Sequence, residues 1–148
     1  SRGTVHIDSP DAMRQPSIRP NYLSTESDRR VTADAIRLTR KICAAPGLEP
    51  YNPVEFRPGP EIGHDDESLA KAAGNIATTI FHPVSTCRMG QDDRAVVDDR
   101  LRVHGINSLR VVDASIMPTI TSGNTNSPVV MIAEKAAEMI IQDGRQNG

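Results

Sequence analysis

Two stretches of this 148-residue chain hold the residue types that proton and anion chemistry requires. The first is Phe81-His82-Pro83-Val84-Ser85-Thr86-Cys87-Arg88-Met89-Gly90. An imidazole, with an ordinary pKa near ~6.5, takes up and releases protons at neutral pH. The proline after His82 fixes the direction in which the backbone leaves it. Taken alone, His82 fits a hydrogen-bonded structural role better than a catalytic one. The second stretch runs over residues 109–132, where a strand-like run ends in Asp113-Ala114-Ser115 and Thr121-Ser122-Gly123-Asn124-Thr125-Asn126 leads into a helix. A helix N-terminus presents unpaired N–H groups and about half a positive charge, which suits an anion or an electron-rich heterocycle. The small residues of Asp113-Ala114-Ser115 would let a bulky cofactor approach the backbone. An ordinary connection with a polar loop is the plainer reading of the same residues.

Other chemistries lack their residues. No two of the ten glycines stand two apart, so neither the dinucleotide fingerprint nor a phosphate-binding loop is present. His6, His64, His82 and His104 never stand three or four residues from one another or from Cys43 and Cys87, so no metal site is expected. Asp92-Asp93 and Asp98-Asp99 lack the alternating ligands and closing Glu of a calcium loop and read as a solvated acidic turn. Lys and Arg number 17 against 19 Asp and Glu, a net charge of -2 without the basic excess that nucleic acid or an anionic membrane attracts. No apolar run approaches the ~18 to 20 residues of a membrane span. Two cysteines are too few for a disulfide scaffold and fit a reducing, cytoplasmic setting.

The elements that must position these residues are built on few aromatics. With Phe 2, Tyr 2 and Trp 0, the core falls to Ile, Leu, Val, Met and Ala. Alternation over residues 4–7 predicts a short strand ending in a turn, and Pro16 and Pro20 keep the chain extended up to Tyr22. A helix is expected over residues 25–44, capped by Ser24, with Val31, Ala35, Leu38 and Ile42 as its core face. Five prolines between residues 45 and 63 predict an irregular excursion free of helix. Asp65 or Asp66 caps a second helix through Leu69, Ala70, Ala73 and Ile76, and residues 77–81 are strand-like up to His82. Short strands are expected at residues 101–103 and 109–112. A last helix should run over residues 127–142, with Pro128 at its first position and Gly144 just past its end. Its apolar residues cover more than one stripe, so it should be largely buried against a partner surface. The chain begins without Met in the lead-in to a strand and reads as a piece of something longer.

Taken together, HPVSTCRMG (residues 82–90), VVDDRLRVHGINSLRVVDASIMP (residues 96–118) and SGNTNSPVVMIAEKAA (residues 122–137) resemble the C-terminal signature of the glucose-methanol-choline (GMC) oxidoreductases, in their choline-dehydrogenase-like alcohol dehydrogenase branch. SRGTVHI, PNYLS and the helix over residues 31–44 extend the resemblance to nearly the whole chain. It implies an α+β fold, the C-terminal part of the GMC architecture. Residues 1–95 would be part of the substrate-binding lobe, with the His motif at its end, and residues 96–148 the strand, loop and helix that complete the FAD-binding domain.

The resemblance further implies an FAD-dependent enzyme that oxidises an alcohol to an aldehyde or ketone by hydride transfer to flavin N5. His82 would be the base. The family's second residue, a His or Asn about 44 positions later, falls on Asn126, which would hydrogen-bond the alkoxide. Asp113 and Ala114 would pass the ribityl and pyrophosphate part of FAD, while Asn124, Asn126, Ser127 and Pro128 would lie at the pyrimidine edge of the flavin. Cys87 and Arg88 read as packing and hydrogen-bonding residues. The family's glycine-rich ADP-binding turn is absent here, so the N-terminal FAD-binding portion of the enzyme is the implied partner, with a small-molecule alcohol as substrate. A non-catalytic domain or assembly module derived from such an enzyme is the competing reading, and a hydroxynitrile lyase of the same fold is a more distant one.

Overall fold

The computed structural model describes residues 1–146. It combines helices with a small sheet and divides into two compact units, Ser1–Thr78 and Thr79–Gly148.

The first unit opens on a hairpin. Strand β1 (Thr4–His6) pairs antiparallel with β2 (Ser17–Arg19), with Val5 opposite Ile18. The sequence pattern anticipates β1, while β2 arises inside the extended segment between Pro16 and Pro20. Gly3 is required by crowding, since a Cβ there would stand 2.4 Å from the Arg19 carbonyl oxygen.

Helix α1 (Glu26–Cys43) follows, and its cap is Thr25 rather than the expected Ser24, because the Thr25 hydroxyl accepts the Asp28 N–H at 3.2 Å. Helix α2 (Asp66–Ile76) is capped as expected by Asp65, whose carboxylate accepts the Ser68 N–H at 2.8 Å. The two helices pack together, and their buried residues are Ala33 on α1 and Leu69, Ala70 and Ala73 on α2, three of the four being alanines.

The expected core face of α1 is corrected by this packing. Val31, Leu38 (58% exposed) and Ile42 face outward, and the buried Ala33 lies half a turn away with half-buried Ile36 and Arg40 beside it. Apolar spacing identifies a face that needs cover. It does not say whether the covering surface belongs to the same unit, and here α2 takes the opposite side.

The proline-rich excursion is also less irregular than expected, because Pro46–Tyr51 forms a 3-10 helix with Pro46 in its first turn. Arg40 fastens the remainder. Its guanidinium donates to Glu55 at 2.8 Å and to the carbonyls of Gly59 and Ile62 at 3.2 Å, and this contact holds the Glu55 carboxyl below its ordinary range.

The second unit contains no extended strand among its described residues. Residues 77–81 do not form the expected strand, and those at 101–103 and 109–112 are linked by single bridges, Val97 to Val103 and Arg102 to Arg110. Side chains carry this unit instead. Val97, Leu101, Ile116, Met117, Ile132 and Ala136 form one buried cluster, with Ile116 only 2% exposed.

Helix α3 (Asn126–Gln146) supplies the last two of these residues. It starts one residue earlier than expected and continues through Gly144. The neighbouring Asp143 is held by Arg100 and Arg110, and that tertiary contact overrides the helix-ending tendency of glycine. Helix α3 buries one stripe, through Ile132 and Ala136, and leaves Val130, Met131, Ile140 and Ile141 exposed. Within the described residues only one of the apolar stripes is covered.

Candidate active site

The residues singled out for chemistry lie in the second unit, and hydrogen bonds stitch two of their segments together. Ser85 Oγ donates to the Met117 carbonyl at 2.8 Å, Cys87 N–H to the Ser115 carbonyl at 3.1 Å and Met89 N–H to the Ile116 carbonyl at 2.8 Å. Val84 and Met89 pack on the cluster that contains Ile116 and Met117. Phe81 and Ser85, on either side of His82-Pro83-Val84, have φ of 63° and 74°. Those values disfavour ordinary L-residues, and here the bonds to residues 115–117 hold the turn in place.

His82 is half-buried, and its Nδ1 stands 2.9 Å from the hydroxyl oxygen of Thr125. Thr125 is 6% exposed and directly precedes α3, where its carbonyl accepts the Val129 N–H at 3.0 Å. Sequence reasoning passes over Thr125 in favour of Asn126, although a signal for it exists. An N-cap hydroxyl ordinarily accepts an N–H from the second or third helical residue, and the third residue of α3 is Pro128, which has none. One of the two N–H groups that could engage the hydroxyl is thereby missing, and the hydroxyl lies within hydrogen-bond distance of His82.

Asn126 is the first residue of α3 and is exposed, like Asn124 and Ser127. The structure thus brings His82 beside the residue preceding Asn126, and among the described residues no hydrogen bond joins His82 to Asn126 itself. Pro128 occupies the third helical position rather than the first. The N–H groups of Asn126 and Ser127 lie in the first turn, where a helix supplies no carbonyl partners. Together with the exposed amides of Asn124 and Asn126 they make a donor-rich surface at the positive end of α3.

Asp113 has a local task. Its Oδ1 accepts Ser115 N–H at 2.8 Å and Ser115 Oγ–H at 2.5 Å, capping the 3-10 turn Ala114–Ile116. Ala114 packs against the buried cluster. Cys87 is a half-buried free thiol, and Arg88 forms two bonds to Asp92 at 2.9 and 2.5 Å. That contact, with the Arg94 N–H, draws the Asp92 carboxyl down to about 2. Asp98 likewise accepts from Arg102 Nε at 2.8 Å, so these acidic residues are paired rather than merely solvated. A groove of about 870 Å³ in the first unit, lined by Ile36, Arg40, Val54 and Ile76 among others, contains none of the residues expected to do chemistry.

A family model for GMC oxidoreductases, that of the C-terminal domain, matches residues 1–133. The chain is 51% identical over 146 residues to the oxygen-dependent choline dehydrogenase of Pseudomonas fluorescens, covering 99% of this chain and 25% of that protein. Among solved structures, pyridoxine 4-oxidase from Mesorbium loti superposes with a TM-score of 0.80 at 37% identity, over 92% of this chain and 26% of that one. Formate oxidase from Aspergillus oryzae gives a TM-score of 0.88 at 31% identity, over 99% and 26% respectively. The chain thus spans about a quarter of the length of the relatives it matches.

Proposed function

Because the chain belongs to the GMC oxidoreductase family and has the fold of its C-terminal part, we propose that it is the C-terminal portion of an FAD-dependent enzyme that oxidises an alcohol to an aldehyde or ketone. The observation that carries this reading is the union of the His82 turn with residues 115–117 and with Thr125 at the start of α3. That union gathers a proton acceptor and a set of N–H and amide donors in one unit.

The residues present fit a flavin by their donor chemistry. The first turn of α3 offers the N–H groups of Asn126 and Ser127, for which no side-chain acceptor is found among the described residues. These groups, with the Asn124 amide, would receive the carbonyl-rich edge of the ring, and Pro128, half-buried, would shape the approach. Ala114 and the outer edge of Asp113 would pass the ribityl and pyrophosphate chain. When bound, FAD supplies the hydride acceptor, at N5. His82 would take the hydroxyl proton at Nε2, while the Asn126 amide donates to the same oxygen as negative charge develops on it.

The N-terminal FAD-binding portion of such an enzyme is the proposed partner and a small-molecule alcohol the proposed substrate. Similarity to choline dehydrogenases makes a choline-like alcohol the first to try. Residues 1–95 would then belong to the substrate lobe and residues 96–148 to the flavin domain, in a cytoplasmic protein. No helix among the described residues is long and apolar enough to cross a membrane.

The reading is tested by co-expression with an N-terminal portion of the relatives' type. A yellow complex that bleaches on adding alcohol is expected. His82→Ala should slow flavin reduction by about 100- to 10,000-fold, and Asn126→Ala by about 100- to 1,000-fold. Undiminished reduction in the His82 variant would sink the assignment. The outward apolar residues of α1 and α3 also suit a non-catalytic assembly module, and a complex that forms without binding FAD would favour that alternative.

A further inference from the structure

We infer that Thr125 is a positioning residue that accepts a hydrogen bond from Nδ1–H of His82, and so keeps the imidazole in the tautomer whose Nε2 carries a lone pair. The inference rests on the reading of His82 as proton acceptor and deepens it by identifying the group that makes His82 competent.

The geometry is a contact of 2.9 Å between Thr125 Oγ1 and His82 Nδ1, with the threonine 6% exposed. A hydroxyl at this distance can donate or accept. If it donated, Nδ1 would be the acceptor and the neutral ring would carry its hydrogen on Nε2, leaving no lone pair for an alcohol proton. If it accepts, Nε2 is free. Only this second arrangement survives proton uptake, since imidazolium donates from both nitrogens. The Thr125 oxygen would then face a cationic ring, and a hydrogen bond strengthens when its donor becomes charged.

Three features favour the contact between the Thr125 hydroxyl and His82. The first is Pro128, which removes the N–H at the third helical position that an N-cap hydroxyl would otherwise accept. The second is the Thr125 carbonyl, which accepts the Val129 N–H at 3.0 Å and anchors the residue to the helix without using its side chain. The third is the turn at Phe81 and Ser85, fastened through Ser85 Oγ to the Met117 carbonyl at 2.8 Å, which fixes the backbone from which the imidazole projects. Thr125 is thus fixed by α3 and His82 by the turn at residues 81–85, and among the described residues only Nδ1 of the ring has a hydrogen-bond partner.

Two measurements test this. In the full 148-residue chain labelled with 15N-histidine, long-range 1H–15N correlation should show His82 as the Nδ1–H form. Thr125→Val should shift the ring toward the Nε2–H form that a free imidazole prefers, and Thr125→Ser should restore the original. In the complex co-expressed with the flavin-carrying portion, Thr125→Val should slow flavin reduction by about 10- to 100-fold, the size expected of a lost hydrogen bond to a charged group. Thr125→Ser should recover most of that rate. A wild-type ring found in the Nε2–H form, or a valine variant with unaltered tautomer and rate, overturns the inference. So does a serine variant as slow as the valine one. Expected nitrogen shifts combined with an active His82→Ala complex would instead overturn the proton-acceptor reading, and with it the catalytic part of this inference alone.

Discussion

Asp143 Oδ1 stands 2.5 Å from a guanidinium nitrogen of Arg100, while Oδ2 of the same carboxylate pairs with Arg110. One side chain near the end of α3 is thereby tied to two points on the bridged turns over residues 98–111. Arg100 first, and then Arg110, lower the Asp143 carboxyl from its ordinary pKa. Asp143→Ala should fray the last turns of α3, where Gly144 already weakens the helix. A drop of a few degrees in the thermal midpoint and faster amide exchange beyond Met139 are expected. Unchanged exchange there would show that α3 does not depend on the pair.

The Arg88–Asp92 pair sets an acid limit that can be observed at one residue. The Asp92 carboxyl is drawn to about 2 from an ordinary 3.8, chiefly by Arg88. A carboxyl whose folded pKa is depressed contributes its full stabilisation above the unfolded value and loses it as pH falls toward the folded one. Protonation of Asp92 should therefore begin below pH 3.8 and reach its midpoint near 2. Arg88→Gln should raise that midpoint toward 3.8, as read from the Asp92 carboxyl carbon by NMR titration. A midpoint that stays put would rule out the guanidinium as the cause.

Ile116 sits at 2% exposure between the Asp113 cap and Met117, and its carbonyl receives the Met89 N–H. Ile116→Ala should cost about 2–5 kcal/mol, through lost transfer energy and the cavity left behind. The same change loosens the segment that holds the His82 turn. Urea unfolding followed by circular dichroism gives the number, and a loss below ~1 kcal/mol would mean that the cluster repacks around the gap.

The outward residues of α1 and α3 predict how the chain behaves without a partner. Val31, Leu38 and Ile42 on one helix, and Val130, Met131, Ile140 and Ile141 on the other, are each about half or more exposed. Apolar surface gathered in this way promotes association. The chain alone should sediment as dimers or larger species. Leu38→Glu with Ile141→Glu should raise the monomer fraction while lowering the yield of complex with the N-terminal portion. A stable wild-type monomer would contradict this view of the two faces.

Local signals were the most legible part of the sequence. Asp65 caps α2 because a carboxylate three residues ahead of Ser68 has a ready N–H to accept, and nothing distant competes for it. The three motif segments were equally readable, and the structure brings residues 82–90 to residues 115–118 as members of one unit. Misreadings began where a distant partner decides the outcome. Val31 and Leu38 were expected inside because their spacing is helical, yet the small residues Ala33, Ala70 and Ala73 settle which side of α1 meets α2. Residues 77–81 have strand-forming side chains but no neighbouring strand to pair with. Gly144 looked like a stop until Asp143 proved to be anchored. Thr125 matters through its contact with His82, 43 residues away in sequence, which only the fold brings together.

Arg40 converts a proline-rich stretch with little backbone pairing into a loop closed at a single point. Its guanidinium reaches Glu55 and three carbonyls, those of Gly59, Ile62 and Gly63. The entropy of closing that loop is therefore offset at one side chain rather than shared along a ladder. The loop's vulnerability to proteolytic nicking should accordingly depend on one residue of α1, well removed in sequence from the peptide bonds that would be cut.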